Sequence, residues 1–60
     1  MNAAQRREVI LKRLSEADAP VSASVLAAQL GVSRQIVVGD VALLRAGGAA
    51  IEATPRGYQF

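Results

Sequence analysis

Val25-Leu26-Ala27-Ala28-Gln29-Leu30-Gly31-Val32-Ser33-Arg34-Gln35-Ile36-Val37 is the stretch that decides the fold. Ser33 has a short hydroxyl side chain that can accept a bond from an unpaired amide in a first helical turn, so a helix is expected to start at Arg34. Gly31 can take the left-handed backbone conformation that ends a helix and that a side chain resists. Ala27 is small enough for two helices to cross closely. Val37 is β-branched and stiff, and can wedge the later helix against the earlier one. The spacing of Ala27, Gly31 and Val37 suits two helices joined by a tight turn.

Working upstream, Ser22 is the N-cap of a helix over residues 23–30, with Val25, Leu26 and Leu30 as its inward set. Pro20 disfavours helix at Ala19 and stops whatever precedes it. Residues 3–17 form an amphipathic helix on the spacing of Ile10, Leu14 and Ala17, with Leu11 beside them. Val21 begins a very short extended piece. Downstream, a helix over 34–46 carries Val37, Val41 and Leu44 on one stripe and closes at Gly47-Gly48. The period then changes. Residues 49–54 suit a strand and 58–60 its partner, around Thr54-Pro55-Arg56-Gly57, where Pro55 presets the turn and Gly57 supplies its permissive position. The expected fold is mainly α with a small β-hairpin, a winged helix-turn-helix in one domain over 1–60, with a wing over 49–60.

Burying Val37, Val41 and Leu44 turns Arg34, Gln35 and Val38 outward on the first turns of the third helix. In helix-turn-helix proteins that part of the helix meets base edges in the major groove. Arg can bond guanine O6 and N7, Gln can bond adenine N6 and N7, and an apolar side chain can touch a thymine methyl. Val38 is the candidate for the last role, with Ile36 at the margin. Ser33 can cap its helix and still offer a donor to a phosphate. Ser22 joins it as a candidate contact at the start of the preceding helix, and Arg56 at the hairpin tip can meet a phosphate or a minor groove. Each has a plainer reading: Arg34 and Gln35 as solvated surface, Val38 as core on a rotated helix, Arg56 as a polar turn residue. Arg6 and Arg7 are either solvated or in contact with a DNA backbone. Asp40 repels phosphate unless it pairs with an arginine or orients Arg34. Gly39 is costly inside a helix.

Composition narrows the function. The chain has 60 residues, no cysteine and no histidine. That excludes a disulfide framework, thiolate metal sites and the commonest general base at neutral pH. No phosphate-binding loop, nucleophile elbow or paired carboxylates occur, so no enzyme, cofactor or metal is expected. Net charge is +2, which by itself says little; the placing of seven cationic residues says more. No apolar run is long enough for a membrane span, and the basic N-terminus lacks the apolar stretch of a signal peptide. The expected compartment is the cytoplasm.

Several segments together resemble a known family. They are Arg6-Arg7-Glu8 before Ile10-Leu11, Pro20-Val21, Leu26-Ala27, Leu30-Gly31-Val32-Ser33-Arg34-Gln35, Asp40-Val41-Ala42, Leu44-Arg45-Ala46 and Ala53-Thr54-Pro55-Arg56-Gly57-Tyr58. This pattern resembles the N-terminal winged-helix domain of the nicotinate-responsive repressors of bacterial NAD biosynthesis and niacin uptake genes, within a broader biotin-repressor-like group. The resemblance implies double-stranded operator DNA as partner and a homodimeric full-length protein. It also implies a C-terminal domain that binds nicotinate and metal through histidines, none of which this chain carries. The chain is therefore expected to be a piece of a longer protein. Gly39 departs from the family, where a larger polar residue is usual. A winged helix used only for protein–protein interaction is the competing expectation.

Overall fold

The computed structural model describes residues 1–60. Helix α1 (Ala3–Glu16) leads to α2 (Ala23–Leu30) and α3 (Arg34–Ala46), followed by strands β1 (Glu52–Thr54) and β2 (Gly57–Gln59). Three helices and an antiparallel hairpin make a winged helix-turn-helix.

Local chemistry sets the helix ends. Asn2 Oδ1 accepts the Gln5 N–H at 2.8 Å, and Gln5 Oε1 accepts the Asn2 N–H at 2.9 Å, a reciprocal cap on α1. The Ser22 and Ser33 hydroxyls accept the N–H groups of Val25 (3.1 Å) and Ile36 (3.2 Å). Gly31 sits at φ 67°, ψ 33°, and the Val32 N–H reaches back to the Ala27 carbonyl at 3.1 Å. The chain thereby turns 108° between α2 and α3. No single helix is long and apolar enough to cross a membrane.

The core draws on every element. Ile10 and Leu14 come from α1, Ala23, Leu26 and Ala27 from α2, Val37 and Val41 from α3, and Ile51 from the approach to β1. Ile10, Leu26, Val37 and Val41 are the largest fully buried side chains, each contributing about 1.5–3 kcal/mol by leaving water. Leu11, Leu30, Leu44 and Tyr58 pack around them. Three expectations need correction. Val25 is 47% exposed, and Ala23 takes the inward place instead. The small Ala23 and Ala27 bring α2 close to its neighbours, which turns the bulkier Val25 out. Ala17 is exposed: α1 ends at Glu16, and Ala17 is its extended C-cap. The first strand begins at Glu52, because Ala49 and Ile51 turn inward to the core, and Phe60 lies outside the second strand.

In the wing, Glu52 faces Gln59, Ala53 faces Tyr58 and Thr54 faces Gly57. Val21 and Tyr58 exchange two backbone hydrogen bonds, of 2.9 and 2.8 Å. The short extended piece before α2 thus pairs with the outer side of β2, and Tyr58 lies between Val21 and Ala53. Gly57 is at φ +136°, and a Cβ there would come within 2.5–2.6 Å of the Val21 and Ser22 backbone. The close seating of the wing on the start of α2 depends on this glycine.

Gly39 has nothing within 4 Å of the Cβ position and lies in the interior of α3. Gly39→Ala is expected to stabilise the domain by about 1 kcal/mol through helix propensity alone. Urea unfolding followed by circular dichroism checks this: a midpoint that does not rise counts against it.

Candidate nucleic-acid interface

Three separated segments meet in a notch of about 250 Å³. The start of α2 supplies Ser22, Ala23 and Ser24, α3 supplies its first residue, Arg34, and the wing supplies Ala53 to Tyr58. The first turn of α2 uses the Val25 and Leu26 N–H groups, bonded to Ser22 Oγ at 3.1 Å and Ser22 O at 3.0 Å. The N–H groups of Ala23 and Ser24 remain for an outside acceptor. On the wing, Thr54 Oγ1 accepts the Arg56 N–H at 3.1 Å and donates to the Gly57 carbonyl at 2.8 Å, which stiffens the turn that carries Arg56.

The charge of this notch has one sign. Arg34 and Arg56 line it, no carboxylate does, and neither guanidinium is in an ion pair. Two cations, hydroxyls and free helix-terminal amides suit an oxyanion. Ser22, Arg34 and Arg56 are thus brought together. Ser24 and Thr54 also line the notch, and sequence reasoning did not single them out. Ser24 could have been found from its place in the first turn after the Ser22 cap, Thr54 from its place opening the turn.

Ser33, Gln35 and Val38 lie apart from the notch, all exposed on or just before α3. Val38 is 38% exposed and Ile36 is exposed too, so the rotated-helix reading of Val38 does not hold. The outward side of α3 carries Gln35, Val38, Gly39 and Ala42. It is low in profile and apolar apart from Gln35, with Arg34 at its head.

A helix-turn-helix (HTH) domain family model matches residues 6–59, which takes in both helices of the turn and the whole wing. The chain belongs to the HTH domain family. The HTH domain is 48% identical over 54 residues to a probable transcription repressor NiaR of Thermotoga maritima, covering 90% of this chain and 31% of that protein. It is 40% identical over 57 residues to the transcription repressor NadR of Bacillus subtilis, covering 95% of this chain and 32% of that one. A further match, 49% over 49 residues, is to the phenylalanine–tRNA ligase alpha subunit of Mus musculus, 82% of this chain and 10% of the subunit. The chain spans about a third of the length of the two repressors it matches.

Away from the notch, the HTH domain buries one charge. Asp40 on α3 is 3% exposed. Its Oδ2 accepts a short hydrogen bond from Arg6 Nε, and its Oδ1 accepts from Arg6 Nη2 at 2.9 Å and Arg7 Nη1 at 3.4 Å. Asp40 therefore does not orient Arg34, and Arg6 and Arg7, both half-buried, are engaged by its carboxylate. The hydrogen bonds from Arg6 hold the Asp40 carboxyl below the ordinary range, against the opposing pull of burial. The same bonds raise the Arg6 guanidinium. In acid the unfolded chain takes up the Asp40 proton before the folded one does, so folding weakens as pH falls below about 4, the unfolded Asp range. Asp40→Asn should flatten that acid limb in thermal unfolding between neutral pH and pH 3. An unchanged limb would mean that the pair contributes no pH dependence.

Proposed function

We propose that this HTH domain reads double-stranded DNA as the DNA-binding part of a bacterial transcription repressor, acting on NAD biosynthesis or niacin uptake genes. The observation that carries the reading is the notch, where unpaired guanidiniums from the recognition helix and the wing converge on hydroxyls and free amides without a carboxylate. A backbone phosphodiester is the matching ligand. With a phosphate held there, α3 lies along the adjoining major groove. Arg34 then reaches a guanine edge or shares the phosphate, Gln35 faces adenine, and Val38 faces a thymine methyl. Ser33 and Ser22 donate to phosphates, and Arg56 meets a phosphate or enters the minor groove.

The gene targets come from the resemblance of the sequence to nicotinate-responsive repressors, and the two bacterial relatives, named as transcription repressors, support the repressor role. In a whole repressor of their length, two copies of the domain would meet a two-fold operator. Nicotinate and metal would belong to the further domain that the resemblance implies. The isolated domain is expected to bind mixed-sequence DNA with a dissociation constant of about 10⁻⁴–10⁻⁶ M.

An amide chemical-shift titration with a mixed-sequence duplex at two salt concentrations tests the reading. Ser22, Ser24, Ser33, Arg34, Gln35, Val38 and Arg56 should shift together, and added salt should reverse the shifts. If these amides stay still, the protein–protein reading replaces this one.

A further inference from the structure

Helix α3 is held from inside mainly by Val37 and Val41, with Leu44 at their edge. Apolar contacts are non-directional. They decide which side of a helix is buried and hold its rotation loosely. Asp40 supplies what they lack. Its carboxylate receives two bonds from one planar guanidinium of α1, and a third from the neighbouring arginine. A forked pair of this kind tolerates a narrow range of approach. Gln35 and Val38 stand about 140° and 160° around the α3 axis from Asp40, at about 100° per residue. Fixing Asp40 against α1 therefore aims both of them outward. The same bonds engage Arg6 and Arg7, two of the seven cationic residues.

We propose that Asp40 is a specificity-determining positioning residue: through Arg6 and Arg7 it sets the rotation of α3 and keeps two guanidiniums from meeting the phosphates of any sequence alike. The proposal rests on the DNA reading given above. Stability alone explains this cluster poorly, because well-packed apolar residues often serve as well as a buried ion pair or better. What apolar residues do not supply is a fixed angle.

The test compares wild type, Asp40→Asn, and the double variant Arg6→Met/Asp40→Leu, in which apolar side chains fill the space and preserve the fold. Residual dipolar couplings of the amides, recorded without DNA, report how α3 sits against α1. Selection from a pool of randomised duplexes with the wild-type chain gives a preferred sequence, and a scrambled duplex gives the background. The double variant should keep its helical circular dichroism, show α3 couplings that no longer fit the wild-type frame, and lose about tenfold in the ratio of preferred to scrambled affinity. Asp40→Asn should bind the scrambled duplex more tightly, with a steeper salt dependence. Unchanged couplings, a retained ratio in the double variant, or no gain on the scrambled duplex each overturns the proposal. Failure of the wild type to enrich any sequence would instead sink the DNA reading, and the couplings would still judge the positioning of α3.

Discussion

Gly57→Ala is expected to destabilise the domain by about 2–4 kcal/mol, backbone strain and overpacking each contributing about 1–2 kcal/mol. Two causes act at one position. The backbone there is at φ +136°, which side chains rarely adopt, and the added Cβ would stand 2.5–2.6 Å from backbone atoms of Val21 and Ser22. Backbone cannot move aside as the end of a flexible side chain can. Relief requires the wing to lift, which breaks the paired hydrogen bonds of Val21 and Tyr58. A domain of this size has about 3–9 kcal/mol in all, so the loss is a large share of it. The melting temperature should fall by roughly 10–30 °C. Amide exchange should speed first at Val21 and Tyr58. Gly31→Ala is the control, since Gly31 has positive φ (+67°) with nothing within 4 Å of its Cβ. It should cost about 1–2 kcal/mol. Equal losses at the two positions would show that the close approach of wing to α2 contributes nothing. Lifting the wing would also carry Arg56 away from Arg34, so affinity for duplex DNA should fall further in Gly57→Ala than stability alone accounts for.

The second large effect lies in the two unpaired arginines, and they should fail differently. Arg34→Ala should remove about 1–3 kcal/mol of discrimination at one base position, roughly 5- to 150-fold, if its fork meets a guanine. Arg56→Ala should weaken all sequences alike and lower the slope of log affinity against log salt by about 1. Titrating each variant with the preferred and the scrambled duplex over a salt series separates the two roles. A drop in salt slope for Arg34→Ala, without loss of discrimination, would place Arg34 on the phosphate in the notch. If both variants bind as wild type does, the DNA-facing surface has been misplaced.

Much of the fold was legible in the chain because its decisive interactions span few residues. The serine caps at Ser22 and Ser33 act on amides three residues away, and Gly31 ends α2 by its own backbone angle. Pattern alone misplaced Val25, because α2 has only eight residues and is apolar on most sides, so no period selects its inner face. It placed Ala17 inward for a related reason: alanine fits a core stripe and an exposed helix end equally well.

The candidate site was legible in its parts and not in its assembly. Three helices, the tight turn, a basic residue at the head of α3 and another at the wing tip could all be read from the chain. Each of these follows from side-chain chemistry and backbone preference over a few neighbouring residues. It took the packed fold to show that Arg34 and Arg56 share one notch with Ser24, that Gly57 must stay bare against Val21, and that Asp40 is tied to α1. These juxtapositions join residues 10 to 36 apart in sequence. Over such separations local preference carries no information, and it is the shared core of three helices and one isoleucine that brings the partners together.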